Sequence, residues 1–346
     1  MVDDLIHLKP PEMATCWLNI CCNLATSDPP GGHTFDIQRT QRHCAIRSGS
    51  TARHGDRCAY SVGLVMVIKM RPLSPAFGAE VGGVDLNKGL DHDTFAAIYQ
   101  AFLDYQVLVF RGQNLNPGAH VTVARRFGQV QVHVLNQYHA DSHPELFVLS
   151  NLDENGQPNG RHPDLGTLEW HTDGSWQRMT GQATMIYAIE VPMTGGETEI
   201  CDMYGAYREL DEATRHYYEQ LRVIHNLDYS RSRYPAHEPL NAAQRDAVPP
   251  VDHPLVRTHP ETGRRCLYLG DHAETIVGMD YLAGRNLVDR INREVINPAR
   301  VYCHHWQPDD VMIWDNRCVM HRARPFDMAN DRRVVRRCTV IGDAPY

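Results

Sequence analysis

The tightest constraint on this chain comes from three residues that chemistry would bring to one point although about 150 positions separate them. They are His171 and Asp173 in LEWHTDGSW and His321 in WDNRCVMHRARPFD. Along extended backbone the side chains alternate, so His171 and Asp173 point to one face of a strand or strand end. Two imidazoles and one carboxylate on one face of a metal leave three positions open, which is the ligand set of non-haem Fe(II) oxygenases. A His-x-Asp triplet alone is common by chance, and the same donor types also bind zinc, so ligand chemistry leaves the metal open. The text after His321 adds weight. RRVVRRCTVIGD begins eleven residues later and sets four arginines into a β-branched, strand-like run.

At 346 residues and 42% hydrophobic content the chain can build one large domain or two small ones. Its net charge is −8 with acids and bases interspersed, and no basic stripe suggests a nucleic-acid partner. No apolar run reaches the roughly 18 residues of a membrane span. The opening Met-Val-Asp-Asp carries acids where a signal peptide carries positive charge. Of ten cysteines, Cys16, Cys21, Cys22, Cys44 and Cys58 fall in the first 58 residues; the other five lie in apolar contexts and read as buried thiols. A reducing, cytoplasmic setting is expected, with no membrane or nucleic-acid partner.

Residues 1–64 are rich in Thr, Ser, Gly, Pro, Arg and Cys and lack periodicity. They read as a disordered leader or as sequence upstream of a true start at Met66 or Met70. A metal-binding extension through Cys16, Cys21, Cys22 and His33 is the other reading, although the spacings fit no zinc motif. From Val65 the pattern becomes regular. Strands are expected at VMVIKMRPL, YQVLVFRG, ELFVLSNL, ATMIYAIEV, RCLYLGD, ARVYCHHWQ, DVMIWDN and RRVVRRCTVI. Helices are expected at LDHDTFAAIYQAFLDY, near NPGAHVTVARRFG, and near MDYLAGRNLVDRINREVI. Many strands and few helices point to a mainly β domain over 65–346 with flanking helices, a sandwich or jelly roll. Residues about 205–260 break the strand rhythm and read as an insertion near the mouth of the barrel.

YQVLVFRGQ, EWHTDGSW, VPMTGGETEICDMYGAY, HPLVRTHPETGRR, WQPDDVMIWDNRCVMHRA and RRVVRRCTVIGD together resemble the taurine/2,4-dichlorophenoxyacetate dioxygenase family, in order and spacing, over roughly 280 residues. VPPVDHPLVRTHPETGRR and GGETEICDM are closer to the dichlorophenoxyacetate branch. The resemblance implies a double-stranded β-helix (jelly-roll) core, Fe(II), 2-oxoglutarate as co-substrate, and O2. It makes His171, Asp173 and His321 the metal ligands. It assigns Thr198 and Arg333 to the distal carboxylate of 2-oxoglutarate, and Arg337, on the same strand face, to an anion of the primary substrate. Trp314 would pack against the co-substrate pocket or in the core. His259 and His133 fall where relatives place histidines near substrate. The arginine pair comes one residue later after the distal histidine than in the taurine enzyme, which leaves Arg332 as a rival to Arg333. Thr167 stands where the taurine enzyme carries asparagine, which counts against taurine.

The expected partner is thus a small anionic organic molecule, an aryloxyalkanoate first and an alkylsulfonate second, and a homo-oligomer is possible by analogy. Two other classes stay in view: a zinc hydrolase, and a non-catalytic barrel that binds a metal or an anion. Succinate release that depends on oxygen and 2-oxoglutarate separates all three.

Overall fold

Alternation along the central strands decides how the layers stack. A computed structural model describes residues 68–234 and 239–346, together with the two-residue strand Phe35–Asp36. In the strand Val107–Phe110 all four residues are buried, and they divide by parity. Val107 and Val109 join one core with Trp314, Ile186, Ile200 and Val335. Leu108 and Phe110 join a second core with Ile98, Phe102, Val121 and Phe127. A period of two, buried on both sides, means that this sheet is covered on both faces. Each fully buried Phe or Leu stabilises the fold by roughly 1.5–3 kcal/mol.

The covering helices on the second side are His92–Tyr105 and Pro117–Phe127. Asp91 caps the first by accepting from the Thr94 N–H, and Asn116 caps the second by accepting from Ala119, ahead of a proline at the first turn. The sheet itself has nine strands. Their order is Phe35–Asp36, Lys69–Pro72, Ala79–Gly82, Val107–Phe110, Val311–Asp315, Gly181–Glu190, Val334–Ile341, His143–Ser150 and His139–Ala140. Every pairing is antiparallel except that of Ala79–Gly82 with Val107–Phe110.

A three-stranded sheet carries Val301–His304, Thr198–Asp202 and Val319–Ala323, with Thr198–Asp202 in the middle. The strand Val319–Ala323 brings His321, and the middle strand brings Thr198. Neither of these two strands was among the expected ones, because Glu199, Asp202, His321 and Arg322 interrupt the apolar run that marks a strand. Their backbones pair regardless, Thr198 with both His304 and Ala323.

Over residues 205–260 the rhythm does break. Short helices at Met203–Arg208, Glu212–Tyr218, Leu227–Ser232 and Ala242–Ala247 alternate with short strands. The long helix Tyr281–Val295 follows, capped by Asp280. The molecule is mostly β with a few helices. Of the leader 1–64, only the backbone of Phe35–Asp36 is described, paired with Met70 and Lys69; the cysteine and His33 readings lie outside the described residues. The five described cysteines are free thiols. Among the described residues no helix is long and apolar enough to cross a membrane.

Candidate metal centre

His171 and His321 are tied together before any side chain is considered. The His171 N–H donates to the His321 carbonyl at 3.0 Å, and the His321 N–H returns the bond at 2.8 Å. This isolated bridge ends the strand character at His171, and the chain turns at Asp173–Gly174. Gly174 has φ +72°, and a Cβ there would sit 2.7 Å from the Gly181 nitrogen. The turn therefore presses Asp173 onto the strand Gly181–Glu190, and only glycine fits it.

One ligand atom from each of His171, Asp173 and His321 lies within 4.8 Å of the others, and all three residues are buried. The His171 Nε2 is 3.7 Å from Asp173 Oδ1, and the His321 Nε2 is 3.5 Å from Asp173 Oδ2. The His171 Nδ1 lies 2.8 Å from the Glu169 carbonyl. A carbonyl can only accept, so Nδ1 donates, and Nε2, on the Asp173 side, is the nitrogen placed to ligate a metal. Burial, then the neighbouring His171, pushes His321 well below the ordinary imidazole range and keeps it neutral. Burial alone would raise the carboxyl of Asp173. The Arg337 charge beside it, helped by the two histidines and a Thr184 hydrogen bond, instead holds it well below the usual carboxylate range. A neutral imidazole and an ionised carboxylate are the forms that ligate.

A second group lies at the turn before Thr198. Arg333 is 3% exposed, its backbone N–H donates to Asn151 Oδ1, and its Nε donates to the Gly196 carbonyl at 3.3 Å. Among the described residues no acid lies within ion-pair range of it, and burial pushes its guanidinium down to about 10. A buried charge without a counter-charge is costly and calls for an anion. Arg332 faces outward and pairs with Glu190 through two contacts, at 2.5 and 2.9 Å. Thr198 is buried, and its Oγ1 accepts from the Trp306 indole N–H at 3.0 Å.

A cavity opens beside the triad. His171, Asp173, Arg337 and His133 line it, with Trp176 on one side and Leu227, Arg231 and Tyr234 contributed by the segment after residue 205. Thr198 and Arg333 are not among its lining residues. His133 makes edge contacts with Phe147 and Trp176, and burial together with Arg337 lowers its pKa to about 3.

Of three expectations, one needs correction and two are filled out. Arg337 lines the cavity and is also engaged within the protein. Its Nη1 pairs with Asp173 Oδ1 at 3.0 Å, because that carboxylate is the nearest anion on its face of the sheet, and it lies over the Phe147 ring. His259 does not line the cavity. Its Nε2 sits 3.0 Å from Asp315 Oδ2, and its Nδ1 accepts the N–H groups of Glu261 and Thr262, so both ring nitrogens are used within a buried network. Trp314 takes the core place, one of its two expected ones, and packs on His321 with ring centroids 4.5 Å apart.

The structure also adds residues that motif reading passed over. His272 lines the cavity, edge-on to His171 at 6.1 Å and 3.1 Å from the Ser175 hydroxyl. Thr184 donates to Asp173 Oδ2 at 2.7 Å. Trp306 and Arg231 complete the group. Only the partners of these residues in space single them out; a lone Thr within ATMIYAIEV carries no signal.

The model of the taurine catabolism dioxygenase TauD, TfdA family matches residues 69–339. The chain is 35% identical over 287 residues to the alpha-ketoglutarate-dependent 2,4-dichlorophenoxyacetate dioxygenase of Cupriavidus pinatubonensis, covering 81% of this chain and 99% of that one. It is 33% identical over 273 residues to the (S)-phenoxypropionate/alpha-ketoglutarate-dioxygenase of Delftia acidovorans, covering 75% and 90%. The crystal structure of AAD-2 in complex with Mn(II) and N-oxalylglycine superposes with a TM-score of 0.70 at 34% identity, over 81% of this chain and 99% of its own. With the motifs, the sheets and the His-Asp-His cluster all in place, the chain belongs to the TauD/TfdA family of dioxygenases.

Proposed function

We propose that this enzyme, an Fe(II)- and 2-oxoglutarate-dependent dioxygenase like its relatives, hydroxylates a small anionic organic substrate of the aryloxyalkanoate kind. The observation that carries the reading is the buried His171–Asp173–His321 cluster, set in one fold with a buried Arg333 that has no carboxylate partner among the described residues. We take residues 65–346 as the catalytic domain, its sheets folded as a double-stranded β-helix, and the segment of about 205–260 as the insertion that shapes substrate access. A cytoplasmic location is part of the same reading.

The donor set suits the metal: two lone-pair nitrogens and a carboxylate converge from one side. When bound, Fe(II) supplies the oxygen activation that couples decarboxylation of 2-oxoglutarate to hydroxylation of the substrate. The protein's own part is binding, orientation and exclusion of water. Arg333 and the Thr198 hydroxyl hold the distal carboxylate of the co-substrate; the planar guanidinium suits a carboxylate and leaves no buried charge uncompensated. Trp176, Leu227 and Tyr234 give the cavity apolar walls for an aromatic ring, while Arg231 and Arg337 supply positive charge to its lining. Closing that cavity over a ring would keep bulk water from the metal.

A substrate screen coupled to succinate detection tests the assignment. Aryloxyalkanoates should release the most succinate, with alkylsulfonates and sulfate esters weaker. A neutral best substrate, or none that raises succinate above the unstimulated rate, contradicts it.

A further inference from the structure

Trp314, Asn316, Thr184 and Asp173 form an unbroken line of hydrogen bonds through the core. The Trp314 Nε1 donates to Asn316 Oδ1 at 2.9 Å, the Asn316 Nδ2 donates to Thr184 Oγ1 at 2.9 Å, and the Thr184 hydroxyl donates to Asp173 Oδ2 at 2.7 Å. Trp314, Asn316 and Thr184 are completely buried. The direction of every bond is forced from the two ends. An indole N–H can only donate and an ionised carboxylate can only accept. The indole therefore fixes the Asn316 amide with its oxygen toward Trp314 and its nitrogen toward Thr184. That nitrogen occupies the acceptor side of the Thr184 hydroxyl, whose proton is left to Asp173.

The same indole ring packs on His321 at 4.5 Å. The backbone makes room for the line at Gly181, where a Cβ would stand 3.2 Å from Asn316 Nδ2 and 2.5 Å from the Asp173 carbonyl oxygen.

We infer that Trp314, Asn316 and Thr184 act as one positioning relay that sets the orientation of Asp173 while its first member braces His321, so that two metal ligands from distant segments are preorganised together. The inference rests on the metal-centre reading above. Chained donors polarise one another, so the terminal bond to Asp173 is stronger than an isolated hydroxyl–carboxylate bond. Outer hydrogen bonds of this kind typically contribute 10–100-fold to metal affinity.

Thr184→Val keeps the shape and removes the hydroxyl; Thr184→Ser keeps the hydroxyl. Asn316→Asp keeps the shape but presents an acceptor where the hydroxyl now receives a donor. The readout is Mn(II) binding to the metal-free full-length chain by titration calorimetry, with thermal unfolding of the metal-free protein in parallel. Thr184→Val and Asn316→Asp should each weaken Mn(II) binding about 10–100-fold, and combining them should add little, because either one breaks the line. Thr184→Ser should restore affinity to near the wild-type value. Mn(II) affinity of Thr184→Val within about twofold of wild type, or fully additive losses, would overturn the relay while leaving the metal centre standing. Absence of Mn(II) and Fe(II) binding by the wild-type chain would overturn both.

Discussion

Asp173 meets more partners than either histidine. Arg337 holds one of its oxygens and Thr184 the other, and both imidazoles approach it. Arg337 therefore serves the metal centre as well as the cavity, and its substitution has two consequences. Arg337→Gln should weaken both Mn(II) binding and substrate binding. Arg333 has no such carboxylate partner among the described residues, so Arg333→Gln should act on the co-substrate alone. Losing a charge-assisted pair with the partner charge left buried costs on the order of 2–5 kcal/mol, so the 2-oxoglutarate requirement should rise at least tenfold with Mn(II) affinity unchanged. Titrations of Mn(II), and of N-oxalylglycine in its presence, separate the two variants. Equal losses of metal affinity in both would mean that Arg333 is structural.

At the scale of elements, the turn Gly195–Gly196 decides whether Arg333 reaches its post. Gly196 has φ +68°, and a Cβ there would meet Pro192 Cγ at 2.8 Å and Arg333 Cδ and Nε at 3.2 Å. Gly196→Ala should displace the guanidinium and raise the 2-oxoglutarate KM severalfold while thermal stability falls by about 1 kcal/mol or more; an unchanged KM would separate the turn from the co-substrate. The strands that announce themselves in sequence are those buried on both faces, such as Val107–Phe110 and Val311–Asp315, because there the apolar run is continuous. Thr198–Asp202 and Val319–Ala323 were illegible for the opposite reason: they carry the polar residues of the site. The same logic explains the site residues. His171, Asp173 and His321 are legible because a motif spacing marks them; alternation sets Arg332 and Arg333 on opposite faces, and the structure shows Arg333 to be the buried one. The engagement of Arg337 by Asp173, of His259 by Asp315, and of Asn316 by Thr184 depends on distances between distant segments that no spacing along the chain encodes.

Over the whole molecule, the family match begins at residue 69, and the Cupriavidus relative aligns over 99% of its own length within 81% of the chain. Deleting residues 1–64 should leave activity and thermal stability of the remainder essentially intact, and a loss of folding on deletion would make the leader part of the domain. Acid should weaken the fold through histidines remote from the metal. Burial holds His120 at about 3 and His253 at about 4, and it holds His225 well below the ordinary 6.5. These folded-state values are depressed, so the unfolded chain takes up more protons below 6.5, and stability present above that pH is lost as the pH falls toward 4. At pH 5.5 each such histidine costs about 1 kcal/mol relative to pH 7.5, which denaturant titrations at the two values would detect as a lower midpoint at pH 5.5. The central claim is that one buried triad drives a 2-oxoglutarate-dependent oxidation, and its most direct test is succinate formed from 2-oxoglutarate under air with Fe(II) and an aryloxyalkanoate. The wild-type chain should form succinate only when Fe(II), oxygen and 2-oxoglutarate are all present, and His171→Ala, Asp173→Ala and His321→Ala should each abolish it while remaining folded. Succinate formation that persists in any of the three folded variants, or that continues without oxygen, would contradict the account.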